Sequence, residues 1–104
     1  NSIVGFRSRI GSGTEVRVSL IMGADFYEDT DDLNENRRLQ RPDIGIGNYC
    51  TIKRAILDKN CRVGNNVQIL NINNVQNYEC DQYVIHDGIV IIPKNATVPD
   101  NTVI

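Results

Sequence analysis

The sequence predicts an all-β fold in which short parallel strands coil around a narrow apolar column, and three observations carry that reading. Aliphatic residues recur every six positions: Val4, Ile10, Val16 and Met22; then Ile46 and Ile52; then Leu57, Val63 and Ile69; then Ile92, Val98 and Ile104. The fourth residue after most of them is small or apolar: Ser8, Thr14, Cys50, Cys61, Val67, Ala96 and Thr102. Polar, turn-prone segments lie between, in Gly11-Ser12-Gly13, Asp58-Lys59-Asn60, Gly64-Asn65-Asn66, Lys94-Asn95 and Pro99-Asp100-Asn101. A period of six fits neither the 3.6 of an α-helix nor simple alternation, but it suits a short strand plus a corner repeated around a triangular coil. The aliphatic residue points inward, the small residue fits the tight corner, and Gly, Asn and Asp tolerate the positive φ a corner demands. Three hexads close a turn of roughly 18 residues, and successive turns stack about 4.8 Å apart through backbone hydrogen bonds.

The first run, from Val4 to Met22, ends at an interruption of the repeat at about 25–43. That segment holds the acidic cluster Asp25, Glu28, Asp29, Asp31, Asp32 and Glu35, then Arg37, Arg38 and Arg41, and stops at Pro42. A charge run of this kind reads as a solvated excursion loop with room for a helical turn. It does not fit a calcium loop, which needs a Gly at its sixth position and a Glu at its twelfth. The repeat resumes from Ile46 to Ile69. A second interruption, at about 70–87, leads into Tyr83-Val84-Ile85-His86, Asp87-Gly88 and Ile89-Val90-Ile91-Ile92, the pattern of a β-hairpin with a two-residue turn that packs against the coils. The last hexads run from Ile92 to Ile104.

Bulk properties bound the function. At 104 residues this is one small domain, too short to hold a nucleotide-binding domain and a substrate domain together. With 40% hydrophobic and 23% charged residues it is neither disordered nor membrane-spanning. A net charge of −2 and 6% aromatic residues leave no basic stripe and no stacking platform for nucleic acid. Three cysteines without a CxxC pair imply neither a disulfide framework nor a zinc site. The start at Asn1-Ser2, with neither Met nor a signal peptide, is expected of a piece of a longer chain.

Five ordered stretches add specificity: Met22-Gly23-Ala24-Asp25-Phe26-Tyr27-Glu28, Ile44-Gly45-Ile46-Gly47, Ile52 to Asn60, Asn74-Val75-Gln76 and Gly88-Ile89-Val90. In this order they resemble the glucose-1-phosphate adenylyltransferase family, closest to its plant and cyanobacterial branch, over essentially the whole chain. The resemblance implies a left-handed parallel β-helix of hexapeptide repeats with two inserted loops and a β-hairpin. The handedness belongs to the resemblance, since right-handed crossovers are the general rule. It also implies a C-terminal regulatory and oligomerisation domain spanning 1–104, with the catalytic domain and its magnesium elsewhere in the parent. No catalytic residue, cofactor or metal ligand is then expected in this chain. Implied partners are its own catalytic domain, the other subunits of a homo- or hetero-tetramer, and a phosphorylated effector such as 3-phosphoglycerate with orthophosphate opposing it. The implied compartment is bacterial cytoplasm or plastid stroma.

Lys59 and Lys94 match positions the family uses for effector binding. Taken alone, a lysine in a polar corner is an ordinary solvated residue. Here each is the third residue of its hexad, and their spacing of 35 is one short of two 18-residue turns, so they should share one edge about 5 to 10 Å apart. Asp58 is a second-tier candidate that could orient Lys59 by charge pairing. Lys53, Arg54 and Arg62 fit solvated outward residues and functional ones equally, and stay unassigned. His86, the one histidine, precedes the hairpin turn with no acid or nucleophile to make it a general base, and reads as a surface residue. Cys50 and Cys61 read as buried corner packing, and Cys80 as a loop thiol of weak reactivity. Two alternatives use the same repeat, the β-helix domain of another sugar nucleotidyltransferase and a fragment of a hexapeptide acyltransferase. The Met22–Glu28 and Ile52–Asn60 stretches argue against the first, and the twice-interrupted repeat against the second.

Overall fold

The computed structural model describes residues 2–5 and 7–104; Asn1 lies outside them. Twelve short strands appear among them: β1 Ile3–Val4, β2 Glu15–Arg17, β3 Leu20–Ile21, β4 Gly45–Ile46, β5 Thr51–Lys53, β6 Ala55–Leu57, β7 Arg62–Val63, β8 Gln68–Ile69, β9 Asn77–Glu79, β10 Val84–His86, β11 Ile89–Ile92 and β12 Thr97–Val98. They form three sheets wound around one column, in the orders β1-β3-β6-β11-β10-β9, β12-β7-β4 and β2-β5-β8. All coil-to-coil pairings are parallel.

The register exposes the core. On the first sheet Val4, Ile21, Leu57 and Ile92 lie one above another. On the second the column is Ile10, Ile46, Val63 and Val98, and on the third Val16, Ile52 and Ile69. From Ile21 and Ile46 onward these side chains are buried, whereas Val4 and Ile10 in the first coil are exposed at its open end.

Ile21, not Met22, takes the inward place, and Met22 is exposed. The third-to-first-sheet corner takes five residues rather than six, both from Val16 to Ile21 and from Ile52 to Leu57. Val18 and Arg54 close this shortened corner with φ of 48° and 52°. A β-branched residue is rare in that region, so Val18 is there because the coil demands it. At the other corners Gly13, Asn60, Asn66, Asn95 and Asn101 carry positive φ as expected, joined by Arg7 and Tyr49.

Corners also stack by side chain. Ser12 N–H donates to Asn48 Oδ1 at 2.9 Å, Asn48 N–H to Asn65 Oδ1 at 2.9 Å, and Asn65 N–H to Asp100 Oδ1 at 2.7 Å. The glycine that precedes each of Ser12, Asn48 and Asn65 is required by space: a Cβ on Gly47 would lie 2.5 Å from the Gly64 carbonyl oxygen.

The first excursion is more structured than a loop and adds a helix to the strand-rich, parallel-sheet architecture. It contains a nine-residue helix, α1, Thr30–Arg38. Asp29 caps it, accepting from Asp32 N–H while Asp32 accepts from Asp29 N–H, and acidic and basic residues occupy its first and last turns as the helix dipole favours. The hairpin forms as expected, with Asp87 and Gly88 both at positive φ. It does more than pack against the coils. β11 pairs with β6, β10 with β11 and β9 with β10, so the second excursion extends the first sheet.

Candidate functional site

Lys59 follows β6 and Lys94 follows β11, and these strands pair with Leu57 opposite Ile92. The lysines therefore occupy the same corner of adjacent coils. Asp58 N–H donates to Ile92 O at 2.9 Å and Asn95 N–H to Lys59 O at 3.1 Å, so the second excursion does not disturb the register. One coil rise, about 4.8 Å, separates their backbones.

A third residue joins them. Lys59 Nζ lies 3.2 Å from Asp25 Oδ1 and Lys94 Nζ 3.7 Å from Asp25 Oδ2, so one carboxylate spans both ammonium groups. Asp25 is also held by Asn60, whose Oδ1 accepts from Asp25 N–H at 3.0 Å and whose Nδ2 donates to Asp25 Oδ2 at 3.2 Å. The hydrogen bond from Lys59, then that from Asn60, lowers the Asp25 carboxyl below its ordinary value, against a smaller desolvation effect. All three charged side chains are about half exposed, so they face a site open to solvent.

Asp58 has a different task from the one expected. Its Oδ1 accepts from the Lys59 backbone N–H at 2.7 Å, which fixes the corner. The carboxylate that meets the lysine ammonium is Asp25. Cys61 follows in the same corner, its thiol 2.9 Å from Asp58 O, and burial, then the charge of Asp58, pushes its pKa up to about 12. Such a thiol is packing, not a nucleophile.

A family model described as the GLGC left-handed parallel β-helix domain matches residues 1–103. The chain belongs to that family. Over 106 residues it is 46% identical to the chloroplastic/amyloplastic small subunit of glucose-1-phosphate adenylyltransferase from Triticum aestivum. Over 107 residues it is 42% identical to the protein named inactive glucose-1-phosphate adenylyltransferase small subunit 2, chloroplastic, from Arabidopsis thaliana. All or nearly all of this chain is covered in each case, but it spans only 22% of the length of these curated relatives.

In this GLGC-type β-helix domain the other basic residues divide sharply. Arg62, left unassigned from the sequence, is mostly buried and pairs with the still more buried Glu28 at 3.1 Å. Its Nη1 also donates to Asn36 Oδ1 and Pro42 O, both at 3.0 Å. Glu28 further accepts from Asn36 Nδ2 and from Ile44 N–H, both at 2.6 Å. Burial raises the Glu28 carboxyl, but the bonds from Asn36, Ile44 and Arg62 together leave it below its ordinary value. This cluster fastens α1 and both roots of the first excursion to the coils, and so fixes where Asp25 stands. Lys53 and Arg54 are exposed. His86 is exposed as well, with Nε2 3.4 Å from Asp87 Oδ2 in the hairpin turn.

Asp25 and Asn60 are the site residues the sequence reading missed. A signal existed: once the shortened corner is recognised, Ile21 falls in register with Leu57 and Ile92, which sets residues 22–25 beside the lysine corners. Among the described residues no group of three or more His, Cys, Asp or Glu could hold a metal ion. Among the described residues no helix is long and apolar enough to cross a membrane. The outer face of the first sheet carries an unbroken aliphatic row, with Ile3, Leu20, Ile56, Ile91 and Val84 side by side in register.

Proposed function

We propose that this chain is the regulatory and assembly domain of a glucose-1-phosphate adenylyltransferase, the parent joining ATP and glucose 1-phosphate to give ADP-glucose and pyrophosphate for glycogen or starch synthesis. The names of its relatives and its small share of their length support this. Chemistry, with magnesium, belongs to the rest of the parent.

Regulation is assigned to Lys59 and Lys94, which take the phosphate of a metabolite such as 3-phosphoglycerate, with orthophosphate as the opposing ligand. One observation carries this assignment: both ammonium groups converge on a single anionic group, so the space between them already suits an anion. Charge-assisted hydrogen bonds are strong, but lysine contributes little directional selectivity. The remaining donors come from the catalytic domain, and a ligand touching both domains can favour one arrangement of the enzyme over another. Assembly is assigned to the outer aliphatic row, which packs against the parent's own catalytic domain within a tetramer. The chloroplastic names of the relatives favour plastid stroma over bacterial cytoplasm.

In the full-length enzyme, Lys59→Glu or Lys94→Glu should raise the effector concentration for half-maximal activation at least about tenfold, since repulsion replaces attraction at the phosphate. Lys→Arg at the same positions, which keeps the charge, should largely retain activation. Unchanged activation curves for both reversals would return these lysines to the status of solvated corner residues.

A further inference from the structure

We propose that Asp25 is a built-in competitor for the lysine pair: its carboxylate bridges Lys59 and Lys94 in the absence of ligand, and an incoming phosphate must displace it to bind. The proposal rests on the reading of these lysines as the effector site and adds what sets that site's affinity.

The geometry gives each carboxylate oxygen of Asp25 one lysine, at 3.2 and 3.7 Å. A phosphate held by the same two ammonium groups would need the same space. If Asp25 stayed beside it, a carboxylate and a dianion would lie a few ångströms apart, and that repulsion opposes binding. Displacement requires no loop opening. The backbone of Asp25 is tied to Asn60 Oδ1 through its N–H, and three residues on Glu28 is locked to Arg62, Asn36 and the Ile44 N–H. The side chain itself is about half exposed and can swing toward water while its backbone stays in place, giving up the bond it accepts from Asn60 Nδ2. A phosphate brings more acceptor oxygens and more negative charge than a carboxylate, so it can win the exchange where a simple carboxylate could only match Asp25.

The magnitude follows from the exposure of the two ion pairs. Exposed pairs are each worth only a small factor, so releasing both from competition should tighten anion binding about fivefold.

The test uses full-length enzyme with orthophosphate as the probe, its dissociation constant read by calorimetry for the wild type, Asp25→Asn, Asp25→Ser, Lys59→Glu and Lys94→Glu. Two neutral variants guard against one that folds poorly, and a thermal midpoint checks each. The proposal expects both neutral variants to bind orthophosphate about fivefold more tightly while the lysine reversals weaken binding. Unchanged or weaker binding in both neutral variants, with the reversals still weakening it, overturns the competitor and leaves the lysine site standing, because an Asp25 that merely held the lysines in place would shift affinity in that opposite sense. Unchanged binding in all four variants removes the lysine site and the proposal together.

Discussion

Gly47 shows how closely the coils approach one another. Its φ is unexceptional, yet any side chain there would press into the Gly64 carbonyl. A forced fit of this kind costs about 1–3 kcal/mol. Gly47→Ala should therefore lower the unfolding free energy read from a urea titration by that amount, whereas Asn101→Gly, at an exposed positive-φ corner, should change it by less than about 0.5 kcal/mol. An Ala variant as stable as the wild type would show that the coils can part at no cost. At this scale the sequence was legible in type but not in cause. Glycine after the aliphatic residue is visible in Ile10-Gly11, Ile46-Gly47 and Val63-Gly64, but the reason is stacking distance, which only the neighbouring coil supplies. The corner asparagines were legible outright, because their tolerance of positive φ is a property of the residue itself. Val18 was not, because a valine in that conformation goes against its own preference and reflects the closure of the coil.

At the level of elements, α1 depends on one buried ion pair more than on any apolar face. Its one fully buried residue is Asn36, and its attachment runs through Glu28 and Arg62. Leaving one partner of a buried pair alone costs about 3–5 kcal/mol. Arg62→Met should destabilise the chain by about 3 kcal/mol and speed hydrogen exchange in α1 before the coils are affected, and Arg62→Met with Glu28→Gln should recover part of the loss. The sign of the pH dependence follows from Glu28. Its folded-state carboxyl lies below its ordinary value, so its contribution is present at neutral pH and is lost as pH falls through the folded value. The double variant should lose less stability on acidification than the wild type; equal slopes would dissociate Glu28 from the acid response. The helix was hard to read because a stretch of Asp, Glu and Arg with no apolar stripe lacks the periodicity that marks an amphipathic helix. Its capping pair, Asp29 and Asp32, was the available clue. The hairpin, by contrast, was legible from Asp-Gly between two β-branched runs. The lysine corner was legible as a pair but not as a triad, since Asp25 stands 34 residues before Lys59 and reaches it only because the coil returns there.

For the molecule as a whole, the outer aliphatic row and the exposed first coil leave apolar surface that a single domain does not cover. Within the row Ile3 is exposed and the other four are half-buried, and a partly exposed apolar row on a sheet invites association. The 104-residue chain on its own should self-associate in sedimentation experiments, and Ile56→Lys, in the middle of the row, should shift it toward monomer. A strictly monomeric wild-type chain would assign that face to water. The register has a further consequence, in time rather than space. The corner contact Asn48 to Asn65 closes a loop of 17 residues, whereas Ser12 to Asn48 and Asn65 to Asp100 close loops of 36 and 35 because the two excursions intervene. Doubling a loop costs about 0.6 kcal/mol of closure entropy, close to a threefold delay. The second and third coils, joined by the short closure on two of their three sides, are the natural starting point, and the outer coils are added to them once each excursion has been spanned. The chain is thus expected to assemble from its middle outward, with the lysine corner, which needs the fourth coil, among the last features to form.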